Sequence, residues 1–265
     1  MTDALPEQQD AITAIAQAPA PKEVKDVVTR LQDLQAEMDR FNGRQDNPVA
    51  SFNRVYTTIT EEVDQHLTDT KFQDPEFMIT LDLRFAERYL SALQQWNDRS
   101  AWAPRCWSTL FNRWNDDDIA PILGAVAGVT AHIQFDLGAA LVQTFKERGE
   151  PVLVDPSARK ADYDVLNDIF AEKIPTLRRG FLKHNLFADW FDRITGKWDD
   201  VFQAASIEAA RESSWKTAAQ LGQLRNDPDG YSSQVKTLDG LTEEVINGLF
   251  FFLDNPVVNR MLSSE

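Results

Sequence analysis

Cysteine is almost missing from this chain: 265 residues hold one, Cys106. A single thiol excludes an internal disulfide and any multi-thiolate metal site, and it suits a reducing, cytoplasmic setting. Histidine is nearly as scarce, with His66, His132 and His184 only, so a zinc cluster of several imidazoles is excluded. Positive charge is short as well: 27 Lys and Arg against 42 Asp and Glu leave a net charge of −15. Binding to nucleic-acid backbones or anionic membranes demands a basic surface, so neither partner is expected, and the acidic excess reads as a solvated exterior. The opening MTDALPEQQD has no basic region followed by an apolar stretch, so no signal peptide is expected. Alternating strand patterns, internal repeats, nucleophile elbows, phosphate-cradling glycine loops, dinucleotide fingerprints and HExxH motifs are all absent.

Long hydrophobic runs are also missing, with one exception. Ile119 to Phe145 is apolar on nearly every side, the mark of a helix in the middle of a domain. Asp116, Asp117 and Asp118 precede it, where carboxylates suit unpaired N–H groups, and Pro121 falls in the first turn. Gly124, Gly128, Ala131, Gly138 and Ala139 let neighbouring helices approach closely. The length would nearly span a bilayer. His132, Gln134 and Asp136 in its middle, with no flanking Lys or Arg, instead make it a buried helix of a soluble domain, and no stable membrane insertion is expected.

Around this rod the chain reads as all-α, a single-domain array of about eight helices. Residues 1 to 21, rich in Ala, Pro and Gln, read as a disordered arm. Residues 22–45 read as an amphipathic helix with Val24, Val27, Leu31, Leu34, Met38 and Phe41 in one stripe, which docks on its own domain or pairs two copies as a homodimer through 22–41. The helical domain runs from 46 to 262. Its helices are expected at Ser51–Leu67, Pro75–Gln95, Pro104–Trp114, Arg159–Ile174, Asn185–Thr195, Trp198–Leu224 and Leu241–Leu253. Asn226–Ser233 reads as a turn, and the Val-Leu-Val at 152–154 could form a short strand.

His132 and Asp136 stand four apart, so they share one helix face. Burying both costs several kcal/mol unless they are paired, roughly the penalty of an unsatisfied polar group each. Both could ligate one metal, or the carboxylate could orient an imidazole that acts as acid or base; a self-satisfied pair that fixes packing is the bland alternative. A divalent metal is the one cofactor the pattern suggests, with Asp164 as the third donor. Asp164, Asp168 and Glu172 with the Asp116–Asp118 run faintly suggest the two acidic magnesium motifs of terpene cyclases, although the first three fall opposite the apolar side of their helix. Asn167 is better placed to reach inward. Arg88 and Tyr89 on one helix and Arg211 and Trp215 on another are candidates to bind substrate. His66 and His184 read as surface residues, and Asp82 or Arg88 could enter the core as a partner for another charge.

The stretches VYxxIT and FQDPEFMxxLDLRFAERYL (Val55 to Leu90), GVTAHIQFDLG (Gly128 to Gly138), DYDVLNDIF (Asp162 to Phe170) and SIEAARESSW (Ser206 to Trp215) resemble a mainly actinobacterial domain-of-unknown-function family with the signature Ala-His-Ile-x-x-Asp-Leu. The resemblance spans about residues 50 to 220. It implies a helical domain whose signature includes His132, Asp136, Asp164, Asn167, Arg88 and Arg211, and it implies no reaction. The His-x-x-x-Asp helix is more distantly similar to those of zinc-dependent phospholipase C and nuclease folds, whose other histidine ligands have no counterpart here.

The expectation for function is an enzyme of small-molecule metabolism, acting on a hydrophobic substrate (isoprenoid, acyl or polyketide-like) in a pocket between helices with His132 and Asp136 at its polar end. The alternatives are a non-catalytic module that binds a hydrophobic ligand or a protein partner and, below it, a magnesium-dependent terpene cyclase-like enzyme.

Overall fold

The computed structural model describes residues 6–42, 47–68, 71–100, 102–116, 119, 121–152, 158–182 and 207–254. Among them every regular element is a helix. In chain order these are α1 (Pro6–Ala16), α2 (Val24–Asn42), α3 (Pro48–Thr68), α4 (Pro75–Asn97), α5 (Arg105–Phe111), α6 (Pro121–Thr130), a π-helical turn (Ala131–Asp136), α7 (Leu137–Glu147), α8 (Ala158–Leu182), α9 (Ile207–Gln223) and α10 (Pro228–Asp254). The all-α reading holds.

The apolar rod is the axis of the fold, and α3, α4, α5, α9 and α10 pack against it. By length and composition Pro121–Glu147 could cross a membrane, but 83% of its most apolar window is buried by the rest of the chain. Its small residues work as spacing devices on the α6 side. A Cβ on Gly124 would stand 2.4 Å from the Pro48 backbone, and one on Gly128 would stand 2.2 Å from the Phe52 ring. Glycine at these two positions lets α3 lie directly on α6.

The interior divides in two. One apolar cluster gathers α1, α2, α5, α6 and α10 around the N-terminal half of α3 and the C-terminal half of α4. The other joins the remaining halves of α3 and α4 to α7, α8 and α9. The π turn stands at the seam, and Phe85, Val129 and Val235 pack against both clusters.

Polar side chains at helix ends fix the elements around that seam. Asn47 Oδ1 accepts the Val49 and Ala50 N–H groups at 2.8 and 3.1 Å and caps α3. The buried Asp162 of α8 accepts the Gln73 and Asp74 N–H groups, both at 2.7 Å, while Asp74 caps α4 by accepting from Phe77 at 3.0 Å. Asp239 of α10 receives the Arg105 and Cys106 N–H groups at 3.0 Å each, which holds the start of α5.

Two expectations are corrected. The arm contains helix α1, whose Ile12 is fully buried against the domain. Its low apolar content hides it in sequence, since a few contacts with α2 and α4 suffice to order it. The turn at 226–233 is the start of α10: Pro228 takes the first helical position and the Gly230 N–H binds Asp227 Oδ1 at 3.0 Å. The α2 stripe from Val24 to Met38 is at most 2% exposed and packs inside the chain, as the docking alternative expects. The helix expected at Asn185–Thr195, His184, and Leu153 and Val154 lie outside the described residues, as does the side chain of Phe41.

Candidate functional site

At Ala131–Asp136 the rod widens into a π turn, in which the Leu137 N–H bonds the His132 carbonyl five residues back. Such turns are uncommon and cluster at functional sites. This one is held from outside as well, with the Ser214 hydroxyl of α9 on the Ile133 carbonyl at 2.6 Å.

The turn carries His132, 3% exposed, and Asp136, 1% exposed. His132 Nδ1 lies 2.9 Å from Asp136 Oδ2, the Trp107 indole N–H donates to the same oxygen at 2.9 Å, and Arg88 Nε donates to Oδ1 at 3.3 Å. The carboxylate thus has a donor on each oxygen from α4 and α5 besides the imidazole on its own turn. A carboxylate can only accept, so the proton between His132 and Asp136 belongs to Nδ1. Nε2 is then the bare nitrogen, and among the described residues it has no hydrogen-bond partner. Burial pushes the His132 pKa below its ordinary value, outweighing the opposing pull of Asp136. The ring is neutral, and its lone pair is free.

Aromatic rings fix its orientation. Phe85 stacks on the imidazole with centroids 3.5 Å apart and planes 7° apart, and Tyr56 meets it edge-on at 4.5 Å. His132 is one of the residues lining a cavity of about 50 Å³ between α3, α4, the rod, α8 and α9. Its walls are mostly apolar, Phe52, Ile59, Leu81, Ile133 and Leu166 among them, with Tyr56, Thr60, Asp82, His132 and Arg211 as the polar exceptions. One water needs about 10–15 Å³ by this measure, so the space takes a few waters or one small chemical group.

The remaining expected residues divide by place. Arg211 reaches the cavity wall, but its guanidinium donates to Asn167 Oδ1 at 2.8 Å and to the Tyr163 carbonyl at 2.7 Å. Asn167 therefore serves Arg211, which burial alone would disfavour as a cation. Arg88 approaches Asp136 and lies over Phe135, away from the cavity lining. Tyr89 and Trp215 are fully buried and pack against other rings, Tyr89 on Phe52 and Trp107, Trp215 on Phe145 and Tyr163.

The donor set His132, Asp136 and Asp164 does not fit a metal. His132 and Asp136 are bonded to each other, and Asp164, 46% exposed, is bound to Lys160 at 2.7 Å. Among the described residues no group of three His, Cys, Asp or Glu stands close enough to hold an ion. Asp116 pairs with Arg113, and Asp168 and Glu172 are exposed, so none of these carboxylates faces the cavity as a cyclase motif requires; Asp117 and Asp118 lie outside the described residues. Cys106 is fully buried, and burial raises its thiol pKa far out of the range of a nucleophile.

The family match follows the same segments. Residues 24–250 match the model of a family of unknown function, DUF5995. The chain belongs to that family. The match takes in every element from α2 to most of α10, so the rod, the π turn and the cavity walls all lie inside the DUF5995 region. Neither the curated proteins nor the solved structures give a match to the chain.

Trp107, Tyr56, Phe85 and Asp82 complete the site without having been assigned to it from sequence. Tyr56 follows Phe52 by four and precedes Ile59 by three on α3, and Asp82 precedes Phe85 by three on α4, spacings that could have marked both. Trp107 carries no such signal, because an indole in an aromatic-rich helix reads as core.

Proposed function

We propose that this chain is an acid–base enzyme of small-molecule metabolism, with His132 as the base and Asp136 as the group that orients it. The observation that carries the reading is the buried Nε2 without a partner among the described residues, on a neutral imidazole that Asp136 holds by Nδ1 and that lines a mostly apolar cavity. An unpaired buried nitrogen costs about 1–3 kcal/mol, and a pair that merely satisfied itself would not leave one on a cavity wall. Asp136 fixes the tautomer and stabilises the imidazolium formed when Nε2 takes a proton; Trp107 and Arg88 keep the carboxylate in place. The apolar walls suit the hydrocarbon part of an acyl, isoprenoid or polyketide-like molecule, with only its reacting group inside the small space.

The test is to incubate the purified full chain with a mixed extract of small metabolites and follow the mixture by mass spectrometry. Wild type should change the abundance of at least one apolar species, and His132→Ala and Asp136→Asn should not. Identical profiles for wild type and both variants would contradict the assignment. A non-catalytic carrier of an apolar ligand draws on the same walls; it predicts that an extracted ligand co-purifies equally with wild type and His132→Ala.

A further inference from the structure

His132 is not alone in lacking a partner on this cavity. Among the described residues the Tyr56 hydroxyl and Asp82 Oδ2 are both shut away from solvent without a well-formed hydrogen bond, although Thr60 lies near enough to the Tyr56 hydroxyl to influence it, and both residues line the same space. Thr60, the other hydroxyl on the wall, spends its proton on the Tyr56 carbonyl at 2.9 Å. Tyr56 meets the imidazole edge-on, and Asp82 sits one turn before Phe85, the residue stacked on its face. Three unsatisfied polar atoms on one small apolar cavity are a costly arrangement, and together they offer one proton acceptor and two potential donors.

We propose that the cavity is a proton-transfer site for a molecule with an enolisable carbonyl, whose oxygen is received by the Tyr56 hydroxyl and the protonated Asp82 carboxyl while His132 Nε2 removes a hydrogen from the adjacent carbon. This rests on reading His132 as a base. The C–H electron pair becomes the carbon–carbon double bond of the enol, and the carbonyl π pair moves onto the oxygen, where the two O–H groups stabilise the developing charge. The imidazolium, faced by Asp136, then returns the proton. Return to the same carbon exchanges hydrogen; return to the far carbon of a β,γ-unsaturated carbonyl shifts the double bond into conjugation. Every atom is accounted for and no co-reactant is needed.

Asp82 can donate only when protonated, and burial, with the charge of Asp64 on α3, pushes its pKa up to about 7. Of the other polar groups lining the space, Thr60 does not titrate, burial raises the Tyr56 hydroxyl pKa, His132 is kept neutral, and the Arg211 guanidinium is engaged with Asn167 and the Tyr163 carbonyl. Activity should therefore rise as pH passes the lowered pKa of His132 and fall as it passes about 7.

The experiment uses the full chain in D2O with cyclohex-3-enone and the but-3-enoyl thioester of N-acetylcysteamine, following deuterium uptake by mass spectrometry and conjugation by ultraviolet absorbance. Wild type should process at least one probe well above the rate seen with His132→Ala. Tyr56→Phe should lower kcat by roughly a hundredfold, the usual cost of one oxyanion donor. Asp82→Asn, which keeps a donor but cannot titrate, should remain active and lose the fall in rate at high pH. All variants are compared at matched thermal stability. Absence of His132-dependent exchange with both probes overturns the proposal, and so does wild-type behaviour of both Tyr56→Phe and Asp82→Asn. If the probes fail while His132-dependent change persists in the metabolite mixture, only the carbonyl assignment falls. If both fail, the base falls with it.

Discussion

Two carboxyls, Asp136 buried and Asp82 half-buried, set the behaviour of the site and differ in what surrounds them. Asp136 has donors on both oxygens, so removing it strands the Trp107 indole, the Arg88 guanidinium and His132 Nδ1 together. Breaking such a pair from one side costs about 3 kcal/mol or more. Asp136→Ala should therefore lower the unfolding free energy from urea titration by about 3 kcal/mol, and a loss below about 1 kcal/mol would mean that the network is not held as described. Asp82 has no such partners. Its pKa, raised from 3.8 to about 7, means that the folded chain keeps a proton that the unfolded chain releases across that window. Stability is thus lost as pH rises from about 4 to about 7, by on the order of 2 kcal/mol for this half-buried residue. His132 works in the opposite sense: its folded pKa is lowered, so its contribution is lost as pH falls below the ordinary value of 6.5. Comparing wild type with Asp82→Asn over this range isolates the Asp82 part, and the variant should gain on wild type steadily toward pH 8. A constant difference would contradict the buried, unpaired carboxyl.

At the scale of the helix, the rod shows which features sequence periodicity carries. Its position, its burial and the Pro121 start are all present in the run of apolar and small residues, because a helix apolar all round can only be interior. The π turn is not, since one residue's worth of extra backbone leaves no trace in composition and is decided by what packs on it, including Ser214 and Trp107. The glycines are legible as small but not as to their neighbours. Gly124 faces Pro48 backbone and Gly128 faces the Phe52 side chain, so the first cannot be relieved by a rotamer change and the second can in part. Gly124→Ala should cost about 3 kcal/mol and Gly128→Ala about 1–2 kcal/mol in equilibrium unfolding, in that order. The reverse order would show that α3 does not rest its backbone on α6.

In the whole molecule, the two apolar clusters meet at the turn that bears His132, and the cavity occupies that seam. The all-α architecture, the rod and the His132–Asp136 pair were legible because each follows from local spacing. The partners were not. Trp107 comes from α5, tied down by Asp239 of α10 more than 130 residues away, and no local pattern encodes that closure. Arg211 was legible as a candidate to bind substrate but not as a cation whose donors are taken by Asn167 and a carbonyl. α1 was missed because a short helix of weak amphipathicity is fixed by the domain it lands on. The claim on which the functional account stands is the protonation pattern of one ring at this seam. Long-range 1H–15N correlation spectra of the full chain with 15N-labelled histidine, recorded from about pH 6 to pH 8, read it directly. His132 should show a protonated Nδ1 and a bare Nε2 throughout. A proton on Nε2, or an imidazolium across that range, would contradict the account.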